Sequence, residues 1–143
     1  MKRPMKPEIS DAISKYTKAQ TAKNAKIFGI LRVEIDRILA KADSRIYYSI
    51  PVWLIDENPV VGYYASKKHV TLLFWSGQAF KTPGLAKEGK FKAAEIRYVD
   101  PWDIVLKPLR NWLKESKKYI YNYKDIRKNR GRLTLTSARK KTL

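Results

Sequence analysis

Between residues 50 and 99 the chain is a succession of short apolar runs with a period of two, divided by turn-forming residues, a pattern that few architectures accept. Val52 and Leu54 fall on one face and Trp53 and Ile55 on the other. The polar stretch Asp56, Glu57, Asn58, Pro59 then joins this run to residues 60–65, which predicts a β-hairpin with a four-residue loop. After a second polar turn, Ser66-Lys67-Lys68, one face carries Val70, Leu72 and Phe74 and the other His69, Thr71, Leu73 and Trp75. A strand that is apolar on both sides belongs at the centre of a sheet. Residues 76–94 contain Gly77, Pro83, Gly84 and Gly89 without a sustained period and read as a long loop. Ile96, Tyr98 and Val99 form one more strand, with Arg97 pointing to the opposite face from its two neighbours.

Helical spacing flanks this block. Ile9, Ala12, Ile13 and Tyr16, with Ser10 as a cap, predict a short amphipathic helix. Ile27, Ile30, Leu31, Ile35, Ile38 and Leu39 then form one apolar stripe, while Arg32, Asp36 and Arg37 face away. Asp100 before Pro101 is a helix start, and Ile104, Val105, Leu109, Trp112, Leu113 and Ile120 supply the apolar side of this C-terminal helix; Pro108 is expected to kink or split it. A one-sided stripe must bury against something, and the sheet is the only large apolar partner. The expected fold is therefore α+β: an antiparallel sheet of about four to six strands with N- and C-terminal helices packed on one face.

With 143 residues, one core is the natural division: a basic end over 1–8, a single domain over 9–123 and a basic tail over 124–143. The sequence has no cysteine, which removes disulfides, thiolate metal sites and cysteine nucleophiles. No apolar segment follows the basic start MKRPMKPEIS, and the longest apolar run, residues 72–75, is far too short to cross a bilayer. A cytoplasmic protein without a membrane partner is expected. The formal net charge of +18 is concentrated at the ends: residues 1–26 hold seven basic and two acidic side chains, and residues 124–143 hold eight and one. Such ends contact polyanions or remain solvated.

Three segments, YYSIPVW entering the first strand, KKHVTLLF, and GLAKEGKFKAAEIRY before the last strand, resemble the YdhG-like family of small bacterial domains of unknown function. Some of its members look like frataxin-type iron chaperones. The resemblance runs from about residue 9 to residue 113, leaves the basic tail outside, and implies the same α+β domain with helices on one face of an antiparallel sheet. Its motifs are structural and speak to the fold more than to the activity. In the chemistry this chain departs from an iron carrier. Iron is held by clustered carboxylates, whereas Glu34, Asp36 and Asp43 are interleaved with Arg32, Arg37, Lys41 and Arg45. Asp36 and Asp43 would lie about 10 Å apart on helical rise.

No catalytic constellation is visible. Ser49, Ser66 and Ser76 lie in turns outside any nucleophile elbow, and neither a cofactor nor a metal site is expected. The expected function is a non-enzymatic module that binds a small ligand or a protein. Its candidate residues are Trp53, Tyr64, Lys68, His69, Trp75, Lys90 and Arg97. His69 is the only histidine and can act as a base, a single ligand or simply a strand residue. Lys87, Lys90 and Lys92 lie in a glycine-containing loop able to meet an anion, and Arg97 can pair with Trp53 or Trp75. The alternative is a weak, non-specific nucleic-acid binder using sheet aromatics together with Lys124, Arg127, Lys128, Arg130, Arg132, Arg139, Lys140 and Lys141. A third reading, from the resemblance alone, is the frataxin-like intracellular iron chaperone. Oligomeric state is left open.

Overall fold

In a computed structural model, which describes residues 7–136, two helices precede a six-stranded antiparallel sheet and a third follows it. The elements are α1 (Pro7–Lys18), α2 (Ala22–Ile38), β1 (Asp43–Tyr47), β2 (Ile50–Ile55), β3 (Asn58–Ala65), β4 (Val70–Phe74), β5 (Ala86–Lys87), β6 (Ala94–Tyr98) and α3 (Leu106–Ser116). Spatial order across the sheet is β1-β2-β3-β4-β6-β5, so β4 is an inner strand as its two apolar faces require. No helix among the described residues is long and apolar enough to cross a membrane.

The helices share one face. Thr21 caps α2 by accepting the Asn24 N–H at 3.2 Å, and the helix then buries Ile27, Phe28, Leu31, Ile35 and Ile38. From α3 come Leu109, Trp112 and Leu113, and both stripes meet Trp53, Val61, Tyr63, Val70, Leu72, Phe74 and Tyr98 of the sheet. Each fully buried side chain of this size contributes roughly 1.5 to 3 kcal/mol. Phe28 stacks on Tyr63 with ring centroids 4.7 Å apart, and Tyr16 of α1 leans on Phe28 at 5.6 Å. Between the helices, buried Glu34 binds Arg110 of α3 through both carboxylate oxygens, at 2.8 and 3.2 Å, and Arg37 at 2.8 Å. The Arg110 hydrogen bond, opposed by partial burial and aided by Arg37, holds this carboxyl at about 2, well below the ordinary 4.5.

Several local features differ from the sequence expectation. The β2–β3 loop has two residues rather than four, because Asn58 and Pro59 pair with Ile55 and Leu54 across a register shift at Trp53/Leu54. Asp56 and Glu57 both take positive φ, 51° and 66°, and Tyr48 and Ser49 do the same at 51° and 72° in the β1–β2 turn. Loops of this kind match the right-handed twist of the strands they join. β1 itself had no visible signal, since an edge strand reading DSRIY lacks apolar alternation. The long loop contains the short strand β5 and a 3-10 turn over Gly77–Ala79. Past Asp100 the chain makes a 3-10 turn, Pro101–Asp103, before α3 starts at Leu106. Pro108 then sits in the first turn of α3, where its missing N–H loses nothing.

Residues 124–136, expected as a free tail, fold back on the domain. Asn122 N donates to Thr134 O at 3.0 Å, Thr136 N to Ile120 O at 2.8 Å, and Gly131 N to Ile126 O at 2.7 Å. Residues 137–143 lie outside the described residues. The sequence does not show this because the segment is held by backbone hydrogen bonds and by N–H groups donated to the buried Asn58 and Asn122 side chains, which leave no apolar stripe to read.

On the face away from the helices, Gly62 lets β2 and Trp75 approach β3. A Cβ there would sit 2.7 Å from Pro51 O, 2.9 Å from Val52 Cγ2 and 3.3 Å from the Trp75 ring. Gly62→Ala is expected to destabilise the protein by about 1 to 3 kcal/mol, read as a lower denaturation midpoint at unchanged slope; an unchanged midpoint would show that these strands can separate freely. Because the folded-state pKa of Glu34 is depressed, its contribution is present above about 4.5 and disappears as pH falls towards about 2. Glu34→Gln should lower stability at neutral pH and flatten that acid limb; an acid limb of unchanged slope would assign it to other carboxyls.

Candidate functional site

Trp53, a ligand-binding candidate from the sequence, belongs to the core instead. It is 1% exposed, and its indole Nε1 donates to Asp36 Oδ1 at 2.8 Å, so it ties β2 to α2. Period-two alternation shows which residues share a face but not which face the helices cover, and here they cover that of Trp53.

Tyr64 and Arg97 do share the open face, in a row across three strands: Tyr64 pairs with Thr71 and Thr71 with Arg97. Arg97 makes no cation–π pair with Trp53, which faces the helices; its Nε binds Glu95 at 2.8 Å. Trp75 is half-buried and lies over Gly62. Lys68 and His69 belong to the β3–β4 turn, where Ser66 Oγ accepts both of their backbone N–H groups at 3.3 Å. Lys90 lies at the other end of β4, about 15 Å away at the usual strand rise. The seven ligand candidates are therefore divided among the core, the open face and both sheet ends.

What the fold does bring together is Lys90 and the C-terminal cations, from opposite parts of the sequence. Gly89 turns the β5–β6 loop with φ +70°, and Gln78 holds it by donating from Nε2 to Phe91 O at 3.0 Å and Ala93 O at 2.9 Å. Tyr123 binds it from the other side. Its hydroxyl donates to Trp75 O at 2.6 Å and accepts the Lys92 N–H at 3.1 Å, and burial pushes this phenol above its ordinary pKa. Tyr121 N donates to the buried Ser76 hydroxyl at 3.0 Å, and Lys124 N to the buried Asn58 Oδ1 at 2.9 Å. Backbone hydrogen bonds to buried side chains fix the segment without an apolar stripe.

The two joined segments are strongly basic. Residues 87–92 and 121–132 carry Lys87, Lys90, Lys92, Lys124, Arg127, Lys128, Arg130 and Arg132 against the two acids Glu88 and Asp125. The Phe91 ring reaches within 3.9 Å of a Cβ placed on Gly131, and 37% of Phe91 remains exposed. Lys90 lies over the Phe91 ring at 5.3 Å and Lys92 over Tyr121 at 5.6 Å. Lys128, Arg130 and Arg132, with Asn122, Asn129 and Thr134, line a cavity of about 390 Å³. Cations set among aromatic rings over a shallow hollow suit phosphate groups joined by a flexible backbone. Arg139, Lys140 and Lys141 lie outside the described residues.

Asp43, Asp56 and Glu57 line a larger cavity of about 850 Å³ on the other side of Asn122, together with Lys41, Lys124 and Asp125. Arg45 binds Glu57 at 3.3 Å, and among the described residues no three His, Asp or Glu side chains converge as a metal site. The exposed cations of 124–132 were legible in the sequence; their partner Phe91 and the clamp by Gln78 and Tyr123 carried no motif. Compared with protein-family models, curated proteins and solved structures, the chain matches none.

Tyr123→Phe removes the acceptor of the Lys92 N–H and is expected to weaken the join by about 1 to 3 kcal/mol. Amide hydrogen exchange should then speed up at Lys92 and over residues 121–134 while the amides of β3 and β4 stay protected. Unchanged protection at Lys92 would mean that Tyr123 does not hold the two segments together.

Proposed function

We propose that the protein is a non-enzymatic binding module whose ligand is an extended polyanion of the single-stranded nucleic acid type, bound without sequence preference. One observation carries this reading: two basic segments, 87–92 and 121–132, are joined by the bond from the Lys92 N–H to the Tyr123 hydroxyl, and Gln78 holds the first of them in place. Held cations lose less freedom on binding than tail cations do, so each contact with phosphate is worth more. Phe91 and Tyr121 add ring faces on which unpaired bases can stack.

The other readings have less in their favour. The serines considered as nucleophiles have structural uses: Ser76 accepts Tyr121 N–H and Ser66 closes the β3–β4 turn. For an iron carrier the carboxylates are poorly placed, since Glu34, Glu57 and Glu95 each bind arginine. For a small ligand on the open sheet face, Thr71 is buried and Arg97 is engaged by Glu95.

Fluorescence anisotropy with a labelled single-stranded oligonucleotide tests the proposal. Affinity should fall steeply as salt rises, and Lys128→Ala and Arg130→Ala should each flatten the logarithmic slope by about 0.7. Phe91→Ala should weaken binding by about 1 kcal/mol with little change of slope. Trp75→Ala should leave both unchanged. Lys107→Ala, at the far end of the molecule, serves as the control: if it weakens binding as much as Arg130→Ala, the protein is acting as a diffuse polycation and the assigned surface is wrong.

A further inference from the structure

The connection from β6 to α3 exposes four apolar side chains within eight residues: Val99 at 46%, Trp102 at 79%, Val105 at 61% and Leu106 at 39%. Trp102 contrasts with Trp53 and Trp112, which are 1% and 2% exposed. Its position is held. Pro101 opens the 3-10 turn, Asp103 Oδ2 accepts the N–H groups of Val99 at 3.0 Å and Asp100 at 2.8 Å, and Ile104 N donates to Pro101 O at 3.2 Å. A braced turn that presents an indole to solvent keeps a large apolar surface in water at a cost, and nothing in the packing of the core requires it.

Four lysines flank this tip, against Asp100 and Asp103 within it. Val70 pairs with Tyr98, which brings the β3–β4 turn and its exposed Lys67 and Lys68 beside Val99. Lys23 of α2 pairs with Asp100 at 3.8 Å on the surface, and exposed Lys107 follows Leu106. A second copy of this chain would set these lysines against their own counterparts, so self-pairing is opposed by charge. Stacking of nucleic-acid bases would use the indole but has no use for Val99, Val105 and Leu106. An exposed aromatic and aliphatic tip flanked by more lysines than acids matches the boundary between lipid headgroups and acyl chains.

We propose that the tip formed by Val99, Trp102, Val105 and Leu106 is a peripheral contact for an anionic lipid membrane, with Lys23, Lys67, Lys68 and Lys107 meeting the headgroups. The contact lies on the surface of the bilayer and spans nothing, and it departs from the sequence expectation of no membrane partner. It lies at the Tyr98 end of β6, whereas the polyanion surface adjoins the Ala94 end, so each stands or falls by itself.

Sedimentation of the full chain with phosphatidylcholine vesicles, with and without phosphatidylserine, provides the test, read together with tryptophan emission. Binding is expected only with phosphatidylserine and should shift the emission to shorter wavelength, since Trp102 is the exposed indole that would leave water. Trp102→Ala should lower partitioning by about tenfold and abolish the shift. Folding is not at risk from this change, because the side chain is four-fifths solvated. Lys67→Glu with Lys68→Glu should lower binding further, by about fivefold or more for each lysine lost. Four results would overturn the proposal: no binding to either vesicle, binding indifferent to Trp102, concentration-dependent self-association abolished by Trp102→Ala, or loss of a single-stranded oligonucleotide complex on the same substitution.

Discussion

The stack of Phe28 on Tyr63, 4.7 Å between centroids, joins the helix layer to the sheet, and the remaining elements are arranged around it. Trp53 leans on Tyr63 at 5.6 Å and passes the connection back to α2 through its indole bond to Asp36. Tyr16 brings α1 against Phe28, and Phe74 brings in Trp112 of α3 at 6.3 Å. Large rings bury much area with few rotatable bonds, so an aromatic centre holds three helices at little entropic cost. It also decides which residues face away from the helices. With Trp53, Tyr63 and Phe74 committed to the helices, Tyr64, Trp75 and Arg97 are left on the other side.

The charge distribution follows from how the acids are used. Glu34 joins α2 to α3, and Glu115 accepts the Lys81 N–H at 2.6 Å and the Thr82 N–H at 3.3 Å, anchoring the long loop to α3. Asp103 braces the turn under Trp102, and Glu95 takes Arg97. A carboxylate that accepts backbone N–H groups makes strong, directional bonds and stiffens whatever it holds. With these acids engaged in structure, the outward lysines and arginines are left largely without counter-charge, and the surface at 87–92 and 121–132 collects eight of them. Rigid loops thus come from the engagement of the acids inside the fold, while the uncompensated cations come from composition, 31 lysines and arginines against 13 acids.

The strands β2, β3, β4 and β6, the two main helices and their common face were legible because burial imposes a period, two or 3.6, that sequence displays directly. β1 was not legible: Asp43 and Arg45 flank Ser44 on an edge strand, where only one side needs an apolar neighbour. The two-residue turns escaped for another reason. Asp56-Glu57 and Tyr48-Ser49 occupy positive φ without glycine, so the residues that ordinarily mark such loops are absent.

By itself the sequence determined the class of fold, the inner position of β4 and the excess of positive charge, since all three follow from side-chain types and their spacing. Tertiary structure alone decided where that charge is gathered. Tyr123, Gln78, Ser76 and Asn58 act through single hydrogen bonds between residues 13 to 66 positions apart, and contacts of that kind leave no periodic trace. The same holds for the apolar tip. Val99 reads as the end of a strand and Val105 as part of a buried helix stripe, and only the tertiary structure, with its 3-10 turn braced by Asp103, leaves them with Trp102 and Leu106 in solvent.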